Sequence, residues 1–259
     1  SGSNYVCSGT LVAHRWVLTA AHCADGATNM SVRFGSDYYF VDELVVHPDW
    51  TNSVGEGNDI ALAQLGTSVT GIVPSALYTG SSELGQTATY VGFGRGGNGL
   101  TGPTSGTGIA RAGHNVIDSV DLLVTDPSTG TTYADFPDTI LWADFDDGSS
   151  TNNVLDSLYS NLWMSSTSDG APVALEILVA PGDSGGGIFL DVGGSEQVAG
   201  VNSFVASLSA SVTFEYGDFT GSTRVSSFSP WITSYIPEPG TGTLLALGLA
   251  GLGLRRRAH

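Results

Sequence analysis

Apolar and β-branched residues fall in short runs broken by turn residues, not at the spacing of an amphipathic helix. Residues 5–13 and 16–19 are two such runs parted at His14-Arg15, the pattern of two strands joined by a tight turn. Strand-like runs recur at 31–34, 39–46, 60–65, 88–92, 173–179, 187–190 and 197–204. Their shortness and frequent turn residues predict an all-β barrel or sandwich. Helical patterns are few: a single turn at 20–24, and candidates at 153–163 and 230–236. The glycine-rich stretch 94–108 reads as a flexible loop, and 74–85 as a connector between two halves. No repeat of solenoid period is present.

The chain changes character at Pro237-Glu238-Pro239-Gly240. An uncharged stretch, 241–254, follows, and then Arg255, Arg256 and Arg257. Fourteen helical residues would span roughly 21 Å, short of a hydrocarbon core of roughly 30 Å. The stretch suits a transient membrane contact better than a permanent span. Pro-Glu-Pro, an apolar run and an arginine cluster, in that order, resemble the PEP-CTERM sorting signal of Gram-negative bacteria. That resemblance implies export, cleavage by an exosortase-type partner, and a body facing outward with the arginines on the cytoplasmic side.

The 259 residues, 41% of them apolar, suffice for one large β domain or two small ones with a long interface. The formal net charge is −17, and the tail holds three of the eight basic residues, so the body is more acidic still. Such a surface repels phosphate backbones and excludes nucleic acid as a partner. Charged residues make up only 13%, while 36 glycines and 10 prolines favour many turns. Two cysteines, Cys7 and Cys23, exclude a zinc ribbon or knottin framework. They leave either one bridge, which would imply an oxidising compartment, or two separate buried thiols.

Gly182-Asp183-Ser184-Gly185-Gly186 sets a serine among glycines, where the backbone turns sharply and amides can face an oxyanion. The same letters fit the Gly-x-Ser-x-Gly elbow of α/β-hydrolases, which needs an acid and then a histidine downstream. The only histidine after Ser184 is His259. The order acid, histidine, serine fails too, because no Asp or Glu precedes His22. The surviving order is histidine, aspartate, serine, supplied by His22, Asp59 and Ser184. Asp59 heads the apolar run Ile60-Ala61-Leu62, where it can be buried and orient an imidazole.

Thr19-Ala20-Ala21-His22-Cys23, Asn58-Asp59-Ile60-Ala61-Leu62 and Gly182-Asp183-Ser184-Gly185-Gly186 resemble the trypsin-like, chymotrypsin-fold serine proteases from about residue 5 to 236. The resemblance implies two antiparallel, six-stranded-type β-barrels, the first incomplete, over 1–80 and 81–236, with a short C-terminal helix and the sorting tail at 237–259. It implies Ser184 as nucleophile, His22 as base and Asp59 as its orienting acid, with the Gly182 and Ser184 amides as oxyanion hole. A Cys7–Cys23 bridge would anchor the segment carrying the base. Ser203-Phe204-Val205 would pair with a polypeptide substrate. Leu178, six residues before Ser184, stands where trypsins carry aspartate; Val205 and Thr220 stand where open pockets carry glycine. Cleavage after small or medium aliphatic residues is the expectation. No cofactor or metal is implied. An inactive surface-displayed adhesion module and a serine esterase on the same fold are the alternatives.

The family seats a freed N-terminus beside the aspartate preceding the nucleophile, here Asp183. That segment, the first barrel strand and a signal peptide are not in this sequence. Either the sequence is N-terminally incomplete or Asp183 has another partner. Gly92-Phe93-Gly94-Arg95-Gly96-Gly97 contains a Gly-x-Gly-x-x-Gly, but no helical pattern follows it, which argues against a dinucleotide site. It resembles the family's Gly-Trp-Gly turn. Asp144-Phe145-Asp146-Asp147-Gly148 lacks the alternation and closing glutamate of a calcium loop and reads as a solvated acidic turn. His47 and His114 read as surface or strand-end residues.

Overall fold

A computed structural model describes residues 5–236 except 157, 160, 169 and 210. The tail signal therefore lies outside the described residues. Among the described residues the boundary between two units falls between Ser227 and Phe228.

The first sheet is built from β1 (Thr10–Ala13), β2 (Trp16–Thr19), β3 (Ser31–Phe34), β4 (Asp37–Val46) and β5 (Ala61–Leu65), with the one-turn helix α1 (Ala21–Ala24) after β2. The strands are antiparallel in the order β1-β2-β5-β4-β3. Leu11, Val17, Ala63 and Leu65 form its core. β2 pairs with β5 from Trp16↔Gln64 to Thr19↔Ala61. The C-terminal end of β2 therefore meets the N-terminal end of β5, and that register alone brings residue 22 to residue 59.

The second, larger sheet draws on β6 (Ala76–Leu77), β7 (Thr87–Gly92), β10 (Arg111–Val116), β13 (Ile140–Asp144), β16 (Gly187–Asp191), β17 (Glu196–Ser207) and β18 (Asp218–Arg224). Its path is β10-β7-β16-β17-β18-β13, antiparallel, with β6 added in parallel on β17. Between these run a small hairpin, β8 (Gly97–Asn98) with β9 (Gly102–Pro103), and a four-stranded flap. The flap contains β11 (Leu123–Asp126), β12 (Thr131–Asp135), β14 (Leu158–Tyr159) and β15 (Leu162–Met164). Helix α2 (Val225–Tyr235) closes the described chain. These two curled antiparallel sheets are the chymotrypsin-like architecture expected from the sequence.

β13 shows why the flap exists. The period of two sends Leu141 and Ala143 into the main core beside Tyr90 and Ile188. Ile140 and Trp142 point the other way, onto Leu122, Met164 and Phe219. Trp142 meets the Phe204 ring edge-on at 5.6 Å, a contact worth about 1 kcal/mol beyond area burial. A strand apolar on both faces needs cover on both, and β11 and β15 provide the second cover.

Four expectations fail locally. Residues 173–179 are not a strand: only Glu176 forms a bridge, with His114, and Leu175 takes φ 56°. The described residues of 153–163 form turns and the β14–β15 hairpin instead of a helix, with Asn161 at φ 65° in the turn; asparagine tolerates that left-handed conformation and a helix does not contain it. The loop 94–108 holds the β8–β9 hairpin. The acidic stretch is solvated only in part: Asp147 is exposed, but Asp144 and Asp146 are each 3% exposed, because Asp144 ends a fully buried strand.

Candidate active site

Asp59 is completely buried. Its Oδ1 accepts the His22 backbone N–H at 2.8 Å and its Oδ2 lies 2.7 Å from His22 Nδ1. Ser203 Oγ also donates to Oδ2, and Thr223 Oγ1 donates to the Asp59 carbonyl at 2.8 Å. A buried carboxylate needs such partners, since an unpaired charge there costs several kcal/mol. The arrangement fixes one imidazole orientation, with Nδ1 toward Asp59 and Nε2 outward. Ser203 and Thr223 come from β17 and β18, so the second sheet braces a carboxylate carried by the first.

The turn 182–186 is locked to the segment that precedes β1. Ser8 N–H donates to the Ser184 carbonyl at 2.7 Å, and Ser8 Oγ donates to the Gly182 carbonyl at 2.8 Å. Cys23 Sγ lies 3.8 Å from the Ser184 carbonyl oxygen. A Cβ on Gly185 would stand 2.3 Å from the Ser8 carbonyl oxygen, so only glycine allows this approach. Cys7 and Cys23 are bridged, closing a 16-residue separation that is worth roughly 3 kcal/mol in the chain-entropy account. Ser8 and His22 thus sit beside the two ends of one cross-link. Among the described residues Cys7, His22 and Cys23 are the one convergence of three metal-ligating side chains; with both sulfurs in a disulfide, the set is no metal centre.

Backbone amides in this turn fall into two groups. Asp183 N–H donates to the Ala180 carbonyl, Gly185 N–H to Asn202, and Gly186 N–H to Asp183, at 2.7–2.9 Å. The amides of Gly182 and Ser184 find no acceptor among the described residues. Gly182 has φ 101° and Gly185 φ 84°, conformations that favour glycine. Two unspent amides flanking Asp183 are what an oxyanion site requires. No hydrogen bond among the described residues joins Ser184 Oγ to the imidazole.

The remaining sequence-derived positions lie on β17, on β18 and in the segment before the turn. Val205 pairs with Thr220 across β17 and β18, and the fully buried Thr220 donates Oγ1–H to the Phe204 carbonyl at 3.0 Å. Leu178 is half-buried beside Val179, which belongs to the core cluster that both Ile177 and Val205 pack against. An acidic group not foreseen from sequence joins Asp118 to Asp144 and Glu176 to Asp146, the Asp118 carboxylate accepting the Asp144 backbone N–H and the Glu176 carboxylate that of Asp146. Burial, then the charge of Asp146, raises Asp144 to about 6. Burial raises Glu176 to about 7 against the pull of two amide bonds. Burial and the adjacent Asp144 push Asp118 well above the usual carboxylate range. Ser8 as a clamp on the turn, and Ser203 and Thr223 as braces for Asp59, also escape sequence reasoning, because short hydroxyl residues give no pattern.

Residues 1–153 match the Trypsin family, and residues 236–257 match the PEP-CTERM protein-sorting motif, which indicates export and cell-surface targeting in Gram-negative bacteria. The chain is 31% identical over 257 residues to the Bos taurus chymotrypsin-like elastase family member 1, covering 91% of this chain and 81% of that protein. The Homo sapiens counterpart is 30% identical over 255 residues, covering 91% and 83%. A solved structure of HL collagenase superposes with TM-score 0.58 at 22% identity, covering 88% of this chain and 85% of that one, a likeness of fold. Two curled sheets, a buried aspartate on a histidine and a glycine-flanked serine thus coincide with these matches, and the chain belongs to the trypsin family of serine endopeptidases.

Proposed function

We propose that this endopeptidase hydrolyses peptide bonds through Ser184, His22 and Asp59 by way of an acyl-enzyme. Ser184 Oγ attacks the scissile carbonyl carbon as His22 Nε2 takes its proton, and the Gly182 and Ser184 amides receive the oxyanion. Asp59 holds the imidazole with Nδ1–H inward and stabilises the imidazolium. The imidazolium then protonates the leaving amine, and water repeats the attack on the acyl-enzyme to release the acid and free Ser184. The observation that carries this reading is the fully buried Asp59 carboxylate at 2.7 Å from His22 Nδ1. The two unspent amides beside Ser184 support it.

Substrate strands add to the edge at Ser203-Phe204-Val205. Leu178, Val205 and Thr220 form the side-chain pocket, without a carboxylate at Leu178 and with branched side chains at the other two positions. Cleavage follows Ala or Val, in line with the name of the elastase relatives. The two catalytic halves are residues 1–80 and 81–236. The exported body is cut from its tail near Pro237 by an exosortase-type enzyme, with 241–254 touching the membrane only in transit. A fluorophosphonate probe should add one adduct per chain, mapped by peptide mass to Ser184. Absence of labelling in folded protein that cleaves peptides would overturn the reading.

A further inference from the structure

Asp183 turns its carboxylate away from the nucleophile, into the glycine-rich segment that follows β7. Its Oδ1 accepts the Gly94 N–H at 2.7 Å and its Oδ2 the Ala180 N–H at 2.9 Å. A Cβ on Gly92 would stand 2.0 Å from Asp183 Oδ1, and one on Gly94 would stand 2.6 Å from its Cγ. The glycine spacing that superficially suggests a dinucleotide loop therefore serves as a cradle for this carboxylate. Burial pushes the Asp183 pKa up, while the two amide bonds and the Arg111 guanidinium pull against it.

Arg111 begins β10, opposite Gly92. Its Nη1 donates to the Gly94 carbonyl at 2.7 Å and to the Ile109 carbonyl at 3.2 Å, and its Nη2 to Ser105 Oγ at 3.1 Å. A Cβ on Gly96 would meet Arg111 Nε at 2.5 Å, so this glycine too makes room for the guanidinium. The peptide unit whose carbonyl Arg111 holds has its N–H on Arg95, and that N–H donates to the Pro181 carbonyl at 3.0 Å. The Pro181 carbonyl in turn shares a planar peptide unit with the Gly182 N–H. A trans peptide points its C=O and N–H in opposite directions, so fixing the Pro181 oxygen on Arg95 aims the Gly182 N–H the other way.

We infer that Arg111 is a positioning residue for the oxyanion site, acting on the Gly182 amide through two hydrogen-bonded peptide units. The chain runs from the guanidinium to the Gly94 carbonyl, from the Arg95 N–H to the Pro181 carbonyl, and ends at the Gly182 N–H. Each link polarises the next, so a cation at one end strengthens the donor at the other. The second amide is served separately: the Asp183 carbonyl, in the same peptide unit as the Ser184 N–H, accepts from Gly186 N–H at 2.8 Å and Asn202 Nδ2 at 3.3 Å. The two oxyanion donors thus have independent supports, one anchored by charge and one neutral.

This inference rests on the oxyanion role of Gly182 proposed above, and its test separates the two. Arg111→Gln and Arg111→Lys proteins are titrated with the fluorophosphonate probe, and kcat and KM are expressed per labelled site. Removing an oxyanion donor outright costs 10²–10³ in kcat, so weakening one predicts a kcat roughly tenfold lower for Arg111→Gln with KM unchanged. The Ki of a peptide aldehyde, which forms the oxyanion, should rise by the same factor, while that of the corresponding peptide alcohol should not move. Arg111→Lys should recover part of the loss. Ser105→Ala, which removes one guanidinium contact and leaves the cation, should produce a smaller loss of the same kind. If Arg111→Gln does not fold, the other two variants carry the test. A kcat per labelled site within twofold of the original in the folded variants, or equal changes in aldehyde and alcohol affinity, would overturn the inference. Failure of the unsubstituted protein to label at Ser184 would instead overturn the mechanism beneath it.

Discussion

Replacing Asp59 with asparagine isolates the orienting role proposed for this carboxylate, because shape is kept and only charge and hydrogen-bond polarity change. Three donors converge on Asp59: the His22 backbone N–H on Oδ1, and His22 Nδ1 with Ser203 Oγ on Oδ2. The backbone donor cannot reverse, so the asparagine oxygen must take the Oδ1 position and the NH₂ group the Oδ2 position. Ser203 can rotate its hydroxyl to accept. His22 can accommodate the NH₂ only by making Nδ1 an acceptor, which moves the ring proton to Nε2 and removes the lone pair that would take the serine proton. The expected fall in kcat is about 10⁴-fold, or about 5.4 kcal/mol of transition-state stabilisation. The fold should survive, with a stability loss of about 1.5–3 kcal/mol for the charged hydrogen bonds made neutral. The assay is kcat on a peptide anilide, with urea unfolding in parallel. A kcat within tenfold of the original, in a folded Asp59→Asn protein, would refute the reasoning.

Glu83, fully buried, takes Arg224 Nε and Nη2 at 2.9 and 2.8 Å and Ser226 Oγ at 2.6 Å; Glu83→Ala strands the guanidinium and should lower unfolding free energy by about 3–5 kcal/mol in urea, and a loss under 1 kcal/mol would contradict this. Val205→Gly with Thr220→Gly should open the pocket, raising kcat/KM for Phe over Ala before the scissile bond by at least tenfold on a peptide panel; an unchanged ratio would displace the pocket from these residues. Glu176 at about 7 and Asp144 at about 6 hold protons that the unfolded chain releases near pH 4. The folded state then binds more protons, and stability falls as pH rises from about 4 to about 7; Tm should be higher at pH 5 than at pH 8, and the reverse order would contradict the burial of this group.

The legible parts of the chain are those where pattern and position agree. β2 and β5 are short apolar runs bounded by turns, and their pairing brings His22 to Asp59 without further information. The stretch from 94 to 176 is opaque because its packing inverts the usual signs. Asn115 puts a polar residue at a buried position of β10 and β13 is buried on both faces, so neither shows the alternation that marks a half-buried strand. Leu155 is buried in turns and Trp163 is exposed in a two-stranded hairpin, which mimics a helical period over 153–163. The turn 182–186 is visible in the sequence as letters, but not the division of its amides into spent and unspent, which depends on the carbonyls of Ala180, Asn202 and Asp183 that accept from them.

Ser184→Ala bears most directly on the central claim. Measured as kcat on a peptide anilide with folded, disulfide-bonded protein, this change should lower turnover by roughly 10⁴-fold or more, and adding His22→Ala should lower it little further. Near-normal peptide hydrolysis by Ser184→Ala would contradict the account.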